Sequence, residues 1–277
     1  MNNKKISALG LKVGLVSALG LGLTLPVVAH DVWIGTGSFE IHSDEQNTFS
    51  IDLSRSAEPF VAESNHETGS MNIVGPKGEK KEYTPAFSGK NKEVYEAEFK
   101  EYGTYYLNAA ETQVFLTFYK DEEGKKHKIR MPKSQYSTLP KGSTPVRTVE
   151  KRLASESYIS FNGMSKISKD IRKEGVTIIP NTHPSKIETN EPFSFTIYVD
   201  GVPMEKGEVA LKSLNRIYYD DYEKVEIEEG KDGIYEFEVK YPGRYLLGVE
   251  MGSELSGEGN ADSLSQERFL TFDIKQN

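Results

Sequence analysis

Tyr95-Glu96-x-Glu98-Phe99-Lys100-x-x-Gly103-x-Tyr105-x-Leu107 returns later in the chain as Tyr235-Glu236-x-Glu238-Val239-Lys240-x-x-Gly243-x-Tyr245-x-Leu247. Each copy alternates with period two, the signature of a strand with one buried face. Each then passes a glycine and resumes on a tyrosine, so a turn separates two strands. A related strand follows both copies, Phe115-Leu116-Thr117-Phe118 and Phe269-Leu270-Thr271-Phe272. A strand–turn–tyrosine unit near the end of a domain suits a Greek-key sandwich. Two copies predict an all-β chain of two immunoglobulin-like β-sandwich domains in tandem, at 30–148 and 176–277. The polar sequence between them, with Pro132, Pro140 and Pro145 nearby, carries little apolar periodicity and reads as connecting chain, with a connector at 149–175.

Further strands are expected at 48–53, 94–99, 113–119, 193–199, 234–239 and 268–274, where apolar residues alternate or run together. Gly75-Pro76, Asp200-Gly201 and Pro242-Gly243 punctuate them at turns. Helical periodicity is weak and confined to 165–173. Of the 277 residues 36% are hydrophobic and 10% aromatic, enough for a packed core and too many for a disordered chain. Lys and Arg number 34 against 42 Asp and Glu, a formal charge of −8, and that balance excludes a nucleic-acid partner. The chain has no cysteine, which excludes disulfides, thiolate metal sites and thiol catalysis. Any bound metal must then use nitrogen and oxygen donors.

The first residues read Met-Asn-Asn-Lys-Lys, followed by a nearly apolar run from Leu11 to Val28 and the small-residue exit Val27-Val28-Ala29. This is the pattern of a secretory signal peptide over 1–29, cleaved after Ala29. No later stretch approaches the roughly 20 apolar residues of a spanning helix. The expected mature protein is therefore periplasmic, without a membrane span. It is also more acidic than the precursor, because cleavage removes Lys4, Lys5 and Lys12 but no carboxylate.

Cleavage would make His30 the amino-terminal residue. Such a histidine offers its free amine and its imidazole to one transition metal. His183 lies in Pro180-Asn181-Thr182-His183-Pro184, where two prolines fix the backbone around it. His66 sits in a polar loop and is unremarkable by itself. His42 lies beside the first strand, and His127 lies among Lys125, Lys126 and Lys128, whose charges oppose a cation. Imidazole ligation suits Ni, Co, Cu or Zn rather than Ca or Mg. Asp220-Asp221 and Glu226-Glu228-Glu229 lack the spaced pattern of a calcium loop and read as solvated surface. Tyr218-Tyr219 and Tyr222 read as cross-strand packing. No nucleophile elbow, phosphate loop or zincin motif occurs, and none of the Gly-x-Gly sites, such as Gly35-Thr36-Gly37, has a βαβ context. No enzymatic activity is expected.

Three stretches resemble, in order, a family of exported bacterial proteins classed as periplasmic components of nickel or cobalt uptake systems, many known only as a domain of unknown function. They are Ala29-His30-Asp31-Val32-Trp33, the segment 60–76 with His66 and Gly75-Pro76, and the segment 175–201 with Pro180-x-Thr182-His183-Pro184 and Asp200-Gly201. The resemblance extends to the hairpin 230–247 ending in Gly243-Arg244-Tyr245. It implies His30, His66 and His183 as ligands of one transition-metal ion, Ni, Co or Cu, held at the interdomain cleft. It further implies uptake, or delivery to a membrane transporter or outer-membrane receptor. Two rival readings are a metal-free adhesion or carbohydrate-binding sandwich and a copper oxidative enzyme with a histidine brace.

Overall fold

A computed structural model describes residues 30–167, 172–219, 225–256 and 259–277. The expected signal segment 1–29 lies outside the described residues, as do Asp220, Asp221 and Tyr222. The first strands are β1 (Asp31–Gly35), β2 (Glu40–Ile41), β3 (Thr48–Ser56), β4 (Met71–Val74), β5 (Lys80–Tyr83), β6 (Phe87–Ser88) and β7 (Lys92–Glu98). There follow β8 (Gly103–Ala109), β9 (Thr112–Lys120), β10 (Lys126–Arg130), β11 (Thr144–Phe161), β12 (Val176–Pro180) and β13 (Phe193–Val199). The last are β14 (Val202–Pro203), β15 (Lys206–Ser213), β16 (Val225–Glu229), β17 (Ile234–Phe237), β18 (Gly243–Glu254) and β19 (Ser263–Ile274). All six expected strands are present, within a residue or two except where β3 and β19 run longer. The described residues 165–167 are not helical.

The repeated motif folds alike in both places. Gly103 and Gly243 adopt φ of 139° and 142°, a region open to glycine and strained for other residues. Each turn then presents a buried tyrosine whose hydroxyl donates back to the carbonyl four residues earlier: Tyr105 to Glu101 at 2.9 Å, and Tyr245 to Tyr241 at 2.7 Å. These are the tyrosine corners of an immunoglobulin-like sandwich. The architecture is accordingly two immunoglobulin-like β-sandwiches.

The sandwiches share one sheet. A central sheet runs β16-β15-β18-β19-β11-β8-β4-β5, with β2, β9 and β10 attached through β11. The sheet β1-β3-β7-β6 covers one face and builds the first core. The sheet of β12, β13, β14 and β17 builds the second core on the opposite face. Neighbouring residues of one strand therefore serve different cores: Leu246 and Phe269 belong to the first, Leu247 and Leu270 to the second.

The segment 149–161, expected as the start of a connector, is instead part of β11, the spine of the molecule. One edge of β11 pairs with β8 and then β9, while the other runs parallel to β19 from Val149↔Ser263 to Ser157↔Thr271. From Leu153 to Phe161 every residue of β11 is buried. A strand covered on both faces needs no apolar–polar alternation, which is why its sequence, Leu-Ala-Ser-Glu-Ser-Tyr-Ile-Ser-Phe, resembles a loop. Several of its polar groups find partners inside, although Ser155 Oγ and Glu156 Oε1 are buried without one among the described residues. Glu156 accepts from Tyr106 at 2.6 Å and from Arg268 at 3.1 Å, and the Arg172 guanidinium lies at 3.3 Å.

Candidate functional site

The site around His30 is built from β1 and the loop that follows β3. All five residues of β1 are buried, because the strand lies over β11 and β19 as well as pairing with β3. Trp33 anchors it, donating from Nε1 to Ser56 Oγ at 2.9 Å and meeting Phe60 edge-on at 5.7 Å. Phe60 holds φ at 67°, a left-handed backbone that costs a bulky residue roughly 1–2 kcal/mol. Contact with Trp33 holds it there. Below it, Arg55 and Ser64 exchange backbone hydrogen bonds at 3.1 Å, and the Ala57 amide donates to the Glu63 carboxylate at 3.0 Å. Glu63 is thereby aimed at His30, with Oε2 lying 3.4 Å from Nε2. The two side chains are 39% and 40% exposed, so the imidazole is fixed on one side yet open to solvent on the other.

His66 lies inside. It is 6% exposed, and Nε2 sits 3.1 Å from Thr112 Oγ1, with the Leu153 carbonyl acting on the ring as well. Burial first, and then the Arg55 charge, push its pKa down to about 4 against the support of that carbonyl. The ring is neutral at ordinary pH and its Nε2 is engaged.

His183 is engaged differently. Its Nδ1 accepts from the Ser185 amide at 3.1 Å, capping the 3-10 turn Pro184–Lys186. The proton therefore sits on Nε2, which donates to Thr104 Oγ1 at 2.9 Å. Burial, then the charge of Lys186, lower its pKa. The two prolines do fix this residue, but as a clamp between the second sandwich and β8.

The three histidines are thus not brought together. His183 is tied to Thr104, which pairs with Ser160 of β11, and His66 to Thr112, which pairs with Leu153. Seven residues of strand separate those rungs, about 23 Å. Nitrogen ligands stand ~2 Å from a metal and hence within about 4 Å of one another. Among the described residues no group of three or more His, Asp or Glu side chains is disposed to hold a metal ion. Of the expected ligand set, only His30 presents a substantially exposed imidazole backed by a carboxylate.

The local motifs that singled out His66 and His183 report rigid surroundings, which a capping or core histidine needs as much as a ligand does. Glu63 was not legible among 42 carboxylates, and no spacing marks it. The two remaining histidines are partnered: His127 lies 2.6 Å from Asp121 and stacks on Tyr119, and His42 lies 3.3 Å from Glu40. Tyr218 is 71% exposed rather than packed across strands, and Tyr219 stacks on Tyr241 with centroids 3.9 Å apart.

No curated protein matches the chain. Several solved structures are similar at low identity. A DUF4785 family protein from Legionella pneumophila is 12% identical with a TM-score of 0.25, over 78% of this chain and 50% of that one; the chain spans half its length. The D0-D1 domain of Intimin is 9% identical with a TM-score of 0.21, covering 87% of this chain and 97% of that one. The two tandem V-type regions of a v-region-containing chitin binding protein are 8% identical with a TM-score of 0.20, covering 87% and 99%. Among the described residues no helix is long and apolar enough to cross a membrane. The DUF4198 domain, a domain of unknown function, matches residues 27–252, and the chain belongs to that family.

Proposed function

We propose that this is an exported, non-enzymatic transition-metal-binding protein. It takes Ni, Co or Cu as cargo at His30 and acts in uptake or in delivery to a membrane transporter or outer-membrane receptor. Cleavage after Ala29 would free the His30 amine, and the amine and Nδ1 can close a six-membered chelate on one ion. One observation carries the reading: Glu63 Oε2 lies 3.4 Å from Nε2, the ring nitrogen that this chelate leaves unused. A ligating histidine commonly donates its outer N–H to a carboxylate, which fixes the ring and raises its basicity. Two donors from one residue leave further coordination positions for the ligands of a receiving protein, as delivery requires. A histidine brace would need a second imidazole at the ion, and the other two expected ligands, His66 and His183, are held by Thr112 and Thr104.

The test uses protein secreted with its own signal segment, with the amino terminus verified by mass spectrometry. Calorimetric titration with Cu(II) and Ni(II) should give one site per chain. His30→Ala should abolish it, and Glu63→Gln should weaken it about 10-fold or more. His66→Asn and His183→Asn, provided they fold, should bind as the parent does. Unchanged affinity in His30→Ala would remove the reading.

A further inference from the structure

Beyond the edge of the first sandwich, β9, β10 and the start of β11 continue the central sheet as a three-stranded extension. Its register fixes which side chains share a face. Lys126 stands opposite Lys120, which stands opposite Thr144; Lys128 opposite Phe118, which stands opposite Arg147; and Arg130 opposite Leu116, which stands opposite Val149. Opposed residues of antiparallel strands project to the same side. One face therefore carries Lys120, Lys126, Lys128, Arg130 and Arg147 around Leu116, Phe118 and Val149. All five cations are exposed and the three apolar residues half-buried. The other face is closed: Thr117 and Thr148 are fully buried, bonded to the Met131 carbonyl and the Tyr136 hydroxyl.

Most of the cations on this face are unpaired among the described residues. Among the described residues Lys120, Lys126, Lys128 and Arg130 form no ion pair, whereas Arg147 pairs with the exposed Glu254 at 2.5 Å and donates from Nε to Ser263 Oγ at 3.2 Å. Like charges set directly opposite across strands oppose folding, so stability does not account for collecting them here. Residues 112–148 hold eight Lys and Arg against three carboxylates, in a chain whose formal charge is −8. An anionic surface would repel most of this molecule and attract this face, which sets one orientation of approach.

We propose that this face docks on an anionic phospholipid bilayer. It is the surface of a three-stranded sheet. Long lysine stems around an apolar floor suit the headgroup boundary, where the stems lie against apolar atoms and the ammonium groups stay in water. Attraction between clustered cations and acidic lipid acts within about a Debye length, ~10 Å, so it is a contact effect of this face alone. The inference does not depend on metal binding.

The experiment is flotation of the full mature chain with vesicles of phosphatidylcholine, with and without phosphatidylglycerol. Binding is expected only with phosphatidylglycerol and should fade as salt rises. The triple variant Lys120→Glu, Lys126→Glu, Lys128→Glu should lower partition about 10-fold or more. The same charge change at Lys80→Glu, Lys81→Glu, Lys231→Glu, all exposed elsewhere, should leave it within about twofold. Circular dichroism checks folding. If the first triple variant does not fold, Lys126→Glu and Lys128→Glu singly should each lower partition about fivefold. Absence of flotation at low salt, or equal loss in both triple variants, would overturn the proposal. So would retention on heparin without flotation, which assigns the face to a soluble polyanion.

Discussion

Two tyrosine hydroxyls and one histidine ring show how single residues fix this fold. Tyr105 and Tyr245 are interchangeable in role: each is buried and each bonds its own chain four residues back across a turn set by Gly103 or Gly243. Tyr105→Phe and Tyr245→Phe should each cost about 1 kcal/mol in urea unfolding, with the ring packing retained. His66 makes stability depend on pH. Its folded value of about 4 lies below the ordinary 6.5, so the neutral ring favours the fold fully above pH 6.5. That contribution, up to about 3 kcal/mol, is lost as pH falls through 4. Unfolding free energies measured from pH 7 down to pH 4 should fall, and His66→Asn should flatten that slope. An unchanged slope in the variant would assign the acid sensitivity elsewhere.

Among the elements, β3 and β11 mark the boundary of what was legible. In β3 one face meets the core, and Ile51 and Leu53 alternate with half-exposed Asp52, so period two identifies the strand. In β11 both faces are covered, and Glu156, Ser157 and Ser160 lie inside with hydrogen-bond partners that come from distant parts of the chain. A local pattern cannot announce partners supplied by β8 and β19. The glycine–tyrosine repeat was legible because a turn is a local event. Glu156 is the energetic centre of β11. Glu156→Ala would leave the Arg268 guanidinium, 7% exposed, with only Asn108 and a distant Glu111, and should destabilise by about 3–5 kcal/mol. Adding Arg268→Met to that variant should recover part of the loss, as read by the midpoint of chemical unfolding. A double variant no more stable than Glu156→Ala would place the cost elsewhere.

The whole molecule behaves, on this architecture, as one cooperative body rather than two beads on a linker. Duplicated motifs correctly indicated two sandwiches, but sequence does not reveal that both use opposite faces of one sheet. Leu246 serves the first core although it lies on a strand of the second sandwich. Leu246→Ala should therefore lower the stability of both halves together, by about 3–4 kcal/mol. Calorimetry should record a single transition, with calorimetric and van't Hoff enthalpies equal. Two separated transitions would contradict the shared sheet.

At the same scale, the first residue of the expected mature chain, His30, sits at the start of the buried strand β1, so its position is set by both sandwiches at once. Its place in the sequence was legible, whereas the carboxylate behind it became visible only when Ala57 and the Arg55–Ser64 bridge were seen to aim Glu63. The decisive measurement compares metal binding by protein beginning at His30 with binding by protein carrying one alanine ahead of it. Extension converts the amine to an amide and leaves every side chain in place. Affinity for Cu(II) or Ni(II) should fall by about 100-fold or more, the loss of one of two chelating donors. Equal affinity in the two proteins would show that the amino terminus is not a ligand and that the metal site is not at His30.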